Sequence, residues 1–285
     1  MSLKVQSQRS LSEFSTFGIG GPIRFFAEVS TFEEMEEAFS FAQDHSVPFL
    51  LVGKGSNSLF SDRGFDGLAI LNKIDFCDWQ EKKVTAGAGF SFSLLGVQTA
   101  RKGFSGLEFA SGIPATVGGA VFMNAGANGS EICNSLLSVL YLHENRVKQE
   151  FLRSELTFSY RTSPFQKMKG AILSATFALQ PNAEARSAQL KIIDYRMKTQ
   201  PLKEKSAGCV FRNPAPHLSA GALIDRCGLK GLTVGGAKVS EVHANFIVNA
   251  NGATSKDVLD LIEVVQTKVA AQTGVHLEPE IRLIP

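Results

Sequence analysis

Cysteine is scarce in this 285-residue chain, and its four copies, Cys77, Cys133, Cys209 and Cys227, are scattered without a CxxC pair. That spacing excludes a cysteine-built zinc site and a disulfide scaffold and points to reduced thiols, so no metal is expected. No apolar run approaches the roughly 20 residues that a membrane span needs. The start at Met1 is polar, without the apolar core of a signal peptide, so a cytoplasmic protein with no membrane partner is expected. Charge of either sign is also missing in excess: 29 Lys and Arg face 27 Asp and Glu, with no concentrated basic tract. That removes the electrostatic case for a nucleic-acid partner. Two nucleotide fingerprints are absent as well. No GxGxxG opens a helix, and Lys54 sits between two glycines instead of preceding a Ser or Thr, which excludes the Rossmann and Walker A loops.

What remains is the composition of an ordinary globular protein, 44% hydrophobic and 20% charged, long enough for two or three domains. Its most unusual stretch is 106–129, GLEFASGIPATVGGAVFMNAGANG, with six glycines and Glu108 as its only charge. Side chains this small let backbone pack closely against something large and flat. Alone, such a stretch reads as a tightly packed core turn. A second cluster, Gly53-Lys54-Gly55-Ser56-Asn57-Ser58, follows an apolar run upstream, and two such segments suit a phosphate-bearing cofactor held by backbone N–H groups.

The chain alternates strand and helix patterns. Strands are expected at 23–29, 47–52, 68–71 and 83–86, and a hairpin at 136–142 and 146–151 turns about Glu144-Asn145. A further strand is expected at 171–179. Thr31 followed by Glu34 is a capping-box signature for a helix to about residue 45, and a second helix is expected at 91–102. A helix at 182–198 shows Leu190, Ile193 and Met197 on one face and ends at Pro201. Beyond lie a short helix at 220–227, a strand pair near 239–248, an amphipathic helix at 255–271 and a final strand at 276–284. No internal repeat or low-complexity linker is present.

Three polar groups stand outside the glycine loops. Arg161, in Tyr160-Arg161-Thr162-Ser163, is either a surface cation or a bidentate partner for a carboxylate or phosphate. Cys209, between Gly208 and Val210, is either a small buried hydrophobe or an exposed, positioned thiol. Glu278 and Glu280 are spaced by two and so share a face, solvated or lining a site. Ser240, His243 and Asn245 either line a site or cap a turn.

Together, STFGIGGP, VGKGSNSLF, the 106–129 stretch, YRTSPF, SAGCVFRNP, GGAKVSEVHANFIVN and LEPEIR, in this order, resemble the UDP-N-acetylenolpyruvoylglucosamine reductases. The resemblance runs from about Leu11 to Ile284. It implies an α+β chain with two FAD-binding subdomains of the p-cresol methylhydroxylase and vanillyl-alcohol oxidase type, plus a C-terminal α+β substrate-binding domain. The implied division is 1–72, joined by the terminal strand 276–285, then 73–185, then the substrate domain 186–275. The implied FAD contacts are Gly53, Lys54, Gly55, Ser56, Asn57 and Ser58 at the pyrophosphate, and Ser111, Pro114, Gly118, Gly119, Asn124, Ala125 and Gly126 along the flavin. Tyr160, Arg161, Lys203, Lys230, Ser240 and Asn245 are implied substrate contacts.

The implied reaction is NADPH-dependent reduction of UDP-N-acetylglucosamine enolpyruvate to UDP-N-acetylmuramate for peptidoglycan synthesis, by a monomer. Hydride reaches C3 from flavin N5, and Arg161 and Glu280 stabilise charge on the carboxylate. A proton reaches C2 from the residue at Cys209, where most of the family has serine. A thiol is a better proton donor than a hydroxyl, so the exchange is chemically permitted. The short span from Arg161 to Cys209 leaves no room for the tyrosine-bearing loop of some members and marks the shorter, second type. The alternatives are a flavin oxidase of a small alcohol on the same fold and a flavin-free nucleotide-sugar binder. An oxidase would need a base and no carboxylate-binding arginine; a flavin-free binder would be colourless when purified.

Overall fold

The computed structural model describes residues 3–284. Its packing divides the chain into two compact units. The first takes the described residues up to Gln6, then Phe25–Lys54 and Gly67–Arg196; the second takes Ser7–Arg24, Gly55–Asp66 and the chain from Met197 on.

The first unit holds two sheets. One is an antiparallel five-stranded sheet in the order Lys148–Leu152, Leu136–His143, Gly170–Ala178, Lys83–Gly87 and Cys77–Gln80. In the other, Phe49–Val52 runs parallel to Phe65–Asn72, with Phe49 opposite Leu68, and Val5–Gln6 pairs antiparallel with the later half of Pro22–Val29. Helix α1, Phe32–Asp44, starts where the Thr31 hydroxyl accepts the Glu34 amide at 3.1 Å, while the Glu34 carboxylate accepts the Ser30 amide. Met35, Ala38, Phe39 and Ala42 recur at helical spacing and are buried with Val29, Leu68 and Ile70. Each large one contributes about 1.5–3 kcal/mol relative to exposure. Helices α2, Phe92–Arg101, and α3, Val117–Phe122, pack with the inner face of the five-stranded sheet, where Val84, Phe92, Val117, Val121, Val139 and Phe177 share one core.

Tyr141 is the largest fully buried side chain there, stacked on Phe165 with ring centroids 5.4 Å apart, and its hydroxyl has no hydrogen-bond partner among the described residues. Burial pushes its phenol well above the ordinary range of ionisation. An unsatisfied buried hydroxyl costs about 1–3 kcal/mol. Tyr141→Phe is therefore expected to stabilise the flavin-loaded protein by about 1 kcal/mol, a rise in Tm of about 2 °C. A fall in Tm would mean that the hydroxyl is satisfied in solution.

In the second unit, α5 is Ala220–Arg226 and α6 is Ser255–Thr273, α4 (Ala185–Thr199) having been begun in the first unit. α6 is bracketed by a Thr254/Asp257 capping box and by Gly274 in the left-handed region. Val258, Leu261, Ile262, Val265 and Val269 point into a core shared with Val239, Ile247 and Leu223. The sheet beside them runs Ser206–Cys209, Phe246–Asn249, Ala237–Val239, Thr233–Val234. Separately, Arg282–Ile284 pairs parallel with Ser58–Phe60.

The structure departs from the sequence expectations in four places. The tail is a strand only over Arg282–Ile284, because Pro279 interrupts it and makes only an isolated bridge to Phe211. Cys77–Gln80 and Ser58–Phe60 are strands that the pattern did not mark, being too short to show alternation. Part of the glycine-rich stretch is the helix α3, which forms despite two glycines because Thr116 caps it and Val117 and Val121 are buried. In α4 the expected stripe faces the wrong way: Leu190 and Met197 are 48% and 62% exposed, and the fully buried residues are Ala185 and Gln189. The inward line of α4 is partly polar, with Arg196 packed on Gly112, so apolarity does not trace it.

Candidate active site

In the first unit, the glycine-rich stretch folds over the starts of two helices. Ser91 caps α2 by accepting the Leu94 amide, Thr116 caps α3 by accepting the Gly119 amide, and Ser91 and Thr116 face each other in a bridge. Gly53 lies against the Thr116 hydroxyl and Gly118 against Ala88. The ammonium of exposed Lys54 donates to Ser91 Oγ at 3.3 Å. Pro114 and Gly119 are exposed, whereas Ser111 is fully buried and its hydroxyl has no partner among the described residues.

The end of that stretch anchors Arg161. Ser159 and Thr162 exchange backbone hydrogen bonds of 3.1 and 2.9 Å, closing a tight turn with Tyr160 and Arg161 at its tip. Arg161 is left-handed, with φ 57°, a conformation costly for a side-chain-bearing residue. The turn is tied to the end of α3, where the Phe122 carbonyl accepts Ser163 Oγ at 2.7 Å and Gln166 Nε2 at 2.9 Å; Gln166 Nε2 also donates to the Arg161 carbonyl at 3.0 Å. The guanidinium carbon lies 4.9 Å from the centroid of the Tyr160 ring, which is itself exposed. Asn124 is fully buried at φ 43°, and its carboxamide joins Glu131, the Ser159 carbonyl and the Cys133 amide. Its side chain thus holds protein, and the backbone that follows is engaged too: the Ala125 amide donates to the Ala120 carbonyl at 2.8 Å and Gly126 pairs with Glu131.

In the second unit, Gly55 is buried at φ 58°, and a Cβ there would sit 2.1 Å from the Phe14 carbonyl oxygen, so only glycine fits. The amides of Gly55, Ser56 and Asn57 donate to no group among the described residues. Asn57 fixes the terminal segment: its carbonyl accepts the Arg282 amide at 2.8 Å and its Nδ2 donates to the Glu280 carbonyl at 3.4 Å.

The second unit also brings Cys209 and Glu280 onto neighbouring segments. The Glu280 amide donates to the Val210 carbonyl at 2.7 Å and the Arg212 amide to the Glu278 carbonyl at 2.9 Å. Glu280 is half-buried and Glu278 exposed. Cys209 stands opposite Phe246, just past an irregularity in register that begins at Ser206, and Gly208 before it is left-handed. Such a bulge re-aims the side chains beside it. No disulfide joins any of the four cysteines.

The remaining expected contacts divide. Lys203 is exposed, and Lys230 pairs with Asp225 at 3.0 Å. Ser240 and Asn245 are buried: the Ser240 hydroxyl accepts the Val242 amide, and the Asn245 carboxamide clamps both the amide and the carbonyl of Phe211 at 2.9 and 2.8 Å. Asn245 thus sets the Cys209 strand in place. His243 accepts the Asn245 amide on Nδ1 at 3.2 Å, and burial holds its pKa below the ordinary value, favouring neutral imidazole. Sequence reasoning missed Glu131 and Arg212. The Arg212 Nε is buried beside the Cys209 strand without an acceptor among the described residues, and only its place in SAGCVFRNP hinted at it. Among the described residues no cluster of His, Cys, Asp or Glu could hold a metal, and no helix is long and apolar enough to cross a membrane.

Comparison with known proteins adds the following. A family model described as UDP-N-acetylenolpyruvoylglucosamine reductase, C-terminal domain, matches residues 200–284, and one described as FAD binding domain matches residues 23–145. The UDP-N-acetylenolpyruvoylglucosamine reductase of Protochlamydia amoebophila is 58% identical over 98% of this chain and 94% of its own. That of Chlamydia trachomatis serovar L2 is 48% identical over 99% and 96%. The crystal structure of the reductase from Thermus caldophilus superposes with a TM-score of 0.85 at 38% identity, covering 99% of this chain and all of that one. Each unit by itself holds features that fit part of a flavin dinucleotide: in the second, unused amides at 55–57 suit a diphosphate, and in the first, Gly118 and Gly119 present backbone without side chains and the Ser111 hydroxyl is orphaned among the described residues.

Proposed function

The chain belongs to the UDP-N-acetylenolpyruvoylglucosamine reductase family, and on that premise we propose that it reduces the enolpyruvyl ether of UDP-N-acetylglucosamine enolpyruvate to the lactyl ether of UDP-N-acetylmuramate. It is an oxidoreductase with an FAD-binding domain. The FAD, reduced by NADPH, supplies the hydride that C3 of the enolpyruvyl group accepts. Residues 53–58 hold the diphosphate through their amides, and Ser111, Pro114, Gly118, Gly119, Ala125 and Gly126 bear on the flavin. The functional division is that expected from sequence: 1–72 with 276–285 and 73–185 for the cofactor, 186–275 for the nucleotide sugar, with Lys203 and Lys230 as its cationic contacts. The reaction belongs in the cytoplasm, where nucleotide sugars and NADPH are at hand.

The protein's own part is charge and proton. As hydride arrives at C3, negative charge moves onto the carboxylate; Arg161 neutralises it with a planar fork, and Glu280, which can donate only as the carboxylic acid, gives it an O–H hydrogen bond. Cys209 then gives its proton to C2. The observation that carries this reading is the 2.7 Å hydrogen bond from the Glu280 amide to the Val210 carbonyl, which seats a thiol and a carboxylate on adjoining segments. A small-alcohol oxidase needs no such carboxylate-reading arginine.

The purified protein is expected to take up FAD stoichiometrically, to be bleached by NADPH without oxygen, and to recover its colour on addition of the enolpyruvyl substrate. A folded protein that takes up no FAD would overturn the reading; one bleached by a small alcohol but not recoloured by the substrate would favour the oxidase.

A further inference from the structure

We propose that Asn245 is a positioning residue for Cys209, its carboxamide fixing the segment that aims the thiol; this rests on the reading of Cys209 as proton donor and deepens it. Antiparallel pairing sets Cys209 opposite Phe246, a register that would continue by bringing Phe211 against Ala244. The main chain is not there to pair with it. Strand Phe246–Asn249 begins only at Phe246, because the Phe246 amide turns back to the His243 carbonyl at 2.9 Å and the Asn245 amide donates to His243 Nδ1 at 3.2 Å. The Asn245 carbonyl accepts the Val210 amide at 2.8 Å, and beyond that bond the side chain replaces the missing ladder. Its Oδ1 accepts the Phe211 amide at 2.9 Å, and its Nδ2 donates to the Phe211 carbonyl at 2.8 Å.

The other flank of the segment cannot satisfy those groups. Phe211 lies there in an isolated antiparallel bridge with Pro279. The hydrogen bonds of that bridge pass to either side of the pair, from the Glu280 amide to the Val210 carbonyl at 2.7 Å and from the Arg212 amide to the Glu278 carbonyl at 2.9 Å. In such a pair the bridged residue turns its own amide and carbonyl away from its partner, here toward Asn245, and Pro279 has no N–H to offer. Phe211 is 2% and Asn245 3% exposed, so bulk water does not stand in for a lost partner. Without the carboxamide, a buried amide and a buried carbonyl are orphaned just past Cys209, and the segment must move to find other partners. Buried and engaged at both ends, the carboxamide meets Phe211 and not the substrate that its motif had suggested.

The test times both half-reactions of the FAD-loaded protein by stopped-flow and measures UDP-N-acetylglucosamine binding by calorimetry. Asn245→Leu keeps the bulk and removes both side-chain hydrogen bonds. It is expected to slow reoxidation of the reduced flavin at saturating enolpyruvyl substrate about a hundredfold, the cost of misplacing a reacting group by about 1 Å. Flavin reduction by NADPH should stay within about twofold of the wild-type rate, and the affinity for UDP-N-acetylglucosamine should not change. In a Cys209→Ala background the same substitution should cost no more than about twofold, because the group that Asn245 positions is gone. Equal losses in both halves, a full further loss in that background, or no loss at all assigns Asn245 to the fold alone and overturns the proposal. Weaker UDP-N-acetylglucosamine binding with the saturated rate intact would make Asn245 a substrate contact and overturn it equally. Should Asn245→Leu not load FAD, Asn245→Asp keeps the shape and the acceptor for the Phe211 amide, replaces the Nδ2 donor, and is held to the same selective loss. If Cys209→Ala itself leaves reoxidation at the wild-type rate, the reading of Cys209 fails first and this proposal with it.

Discussion

Arg161→Ala and Glu280→Gln are each expected to slow the reoxidation of reduced flavin by the enolpyruvyl substrate about a hundred- to a thousandfold, the usual cost of removing a preorganised group that meets developing charge. Flavin reduction by NADPH should stay within about twofold of the wild-type rate, because no charge develops on a substrate carboxylate in that half. Much local structure is committed to Arg161. Its turn is closed by two backbone hydrogen bonds and tied twice to the Phe122 carbonyl, and its backbone is held left-handed. Arg161→Lys tests the geometry separately from the charge. A lysine keeps the cation but not the two-pronged fork, so its rate should fall between those of arginine and alanine. Stopped-flow on the flavin absorbance times the two halves separately. Equal losses in both halves would show that these residues hold structure, and their place in the chemistry would have to be given up.

The parts of the fold that could be read from sequence are those whose cause is local. The α1 face of Met35, Ala38, Phe39 and Ala42 is buried at the spacing that its apolar residues mark, and Thr31 caps it as its side chain dictates. The hairpin of Leu136–His143 and Lys148–Leu152 turns at the polar pair Glu144-Asn145 between the two strands. What escaped depends on partners distant in sequence. Gln189 is buried in α4 while Leu190 beside it is exposed, a choice that the helix's own pattern does not contain. Ser58–Phe60 is a strand because Arg282–Ile284 comes from the far end of the chain to pair with it. The site divides in the same way. Arg161, Cys209 and Glu280 are recognisable from the motifs around them. Glu131 sits in a run of small residues, and its place shows only in space, where its carboxylate accepts from the buried Asn124. Asn245 shows the reverse: it lies in a motif that suggested substrate, yet its carboxamide clamps Phe211.

Cys209→Ala is expected to lower turnover about a hundred- to ten-thousandfold, the range for loss of a general acid, with flavin reduction by NADPH intact. Cys209→Ser should keep most of the activity, since it places an O–H where the S–H was. The local structure favours a directed thiol over a filler. Asn245 fixes the strand from one side through Phe211, Glu280 fixes it from the other through Val210, and the irregular register from Ser206 to Cys209 turns the side chain at the strand's end. The thiol also makes two signatures available that a serine enzyme lacks. Activity of the wild type should fall as pH rises through the ionisation of the thiol, because a thiolate has no proton to give, while Cys209→Ser should show no such limb. A thiol-directed alkylating agent should block reoxidation of the flavin by substrate but not its reduction by NADPH, and bound substrate should protect. A cysteine that merely fills space predicts the opposite on every count: an active alanine variant, no difference in alkaline behaviour between thiol and hydroxyl, and alkylation that is slow and indifferent to substrate. That pattern would leave the reductase assignment standing and pass the proton to C2 from another group or from water.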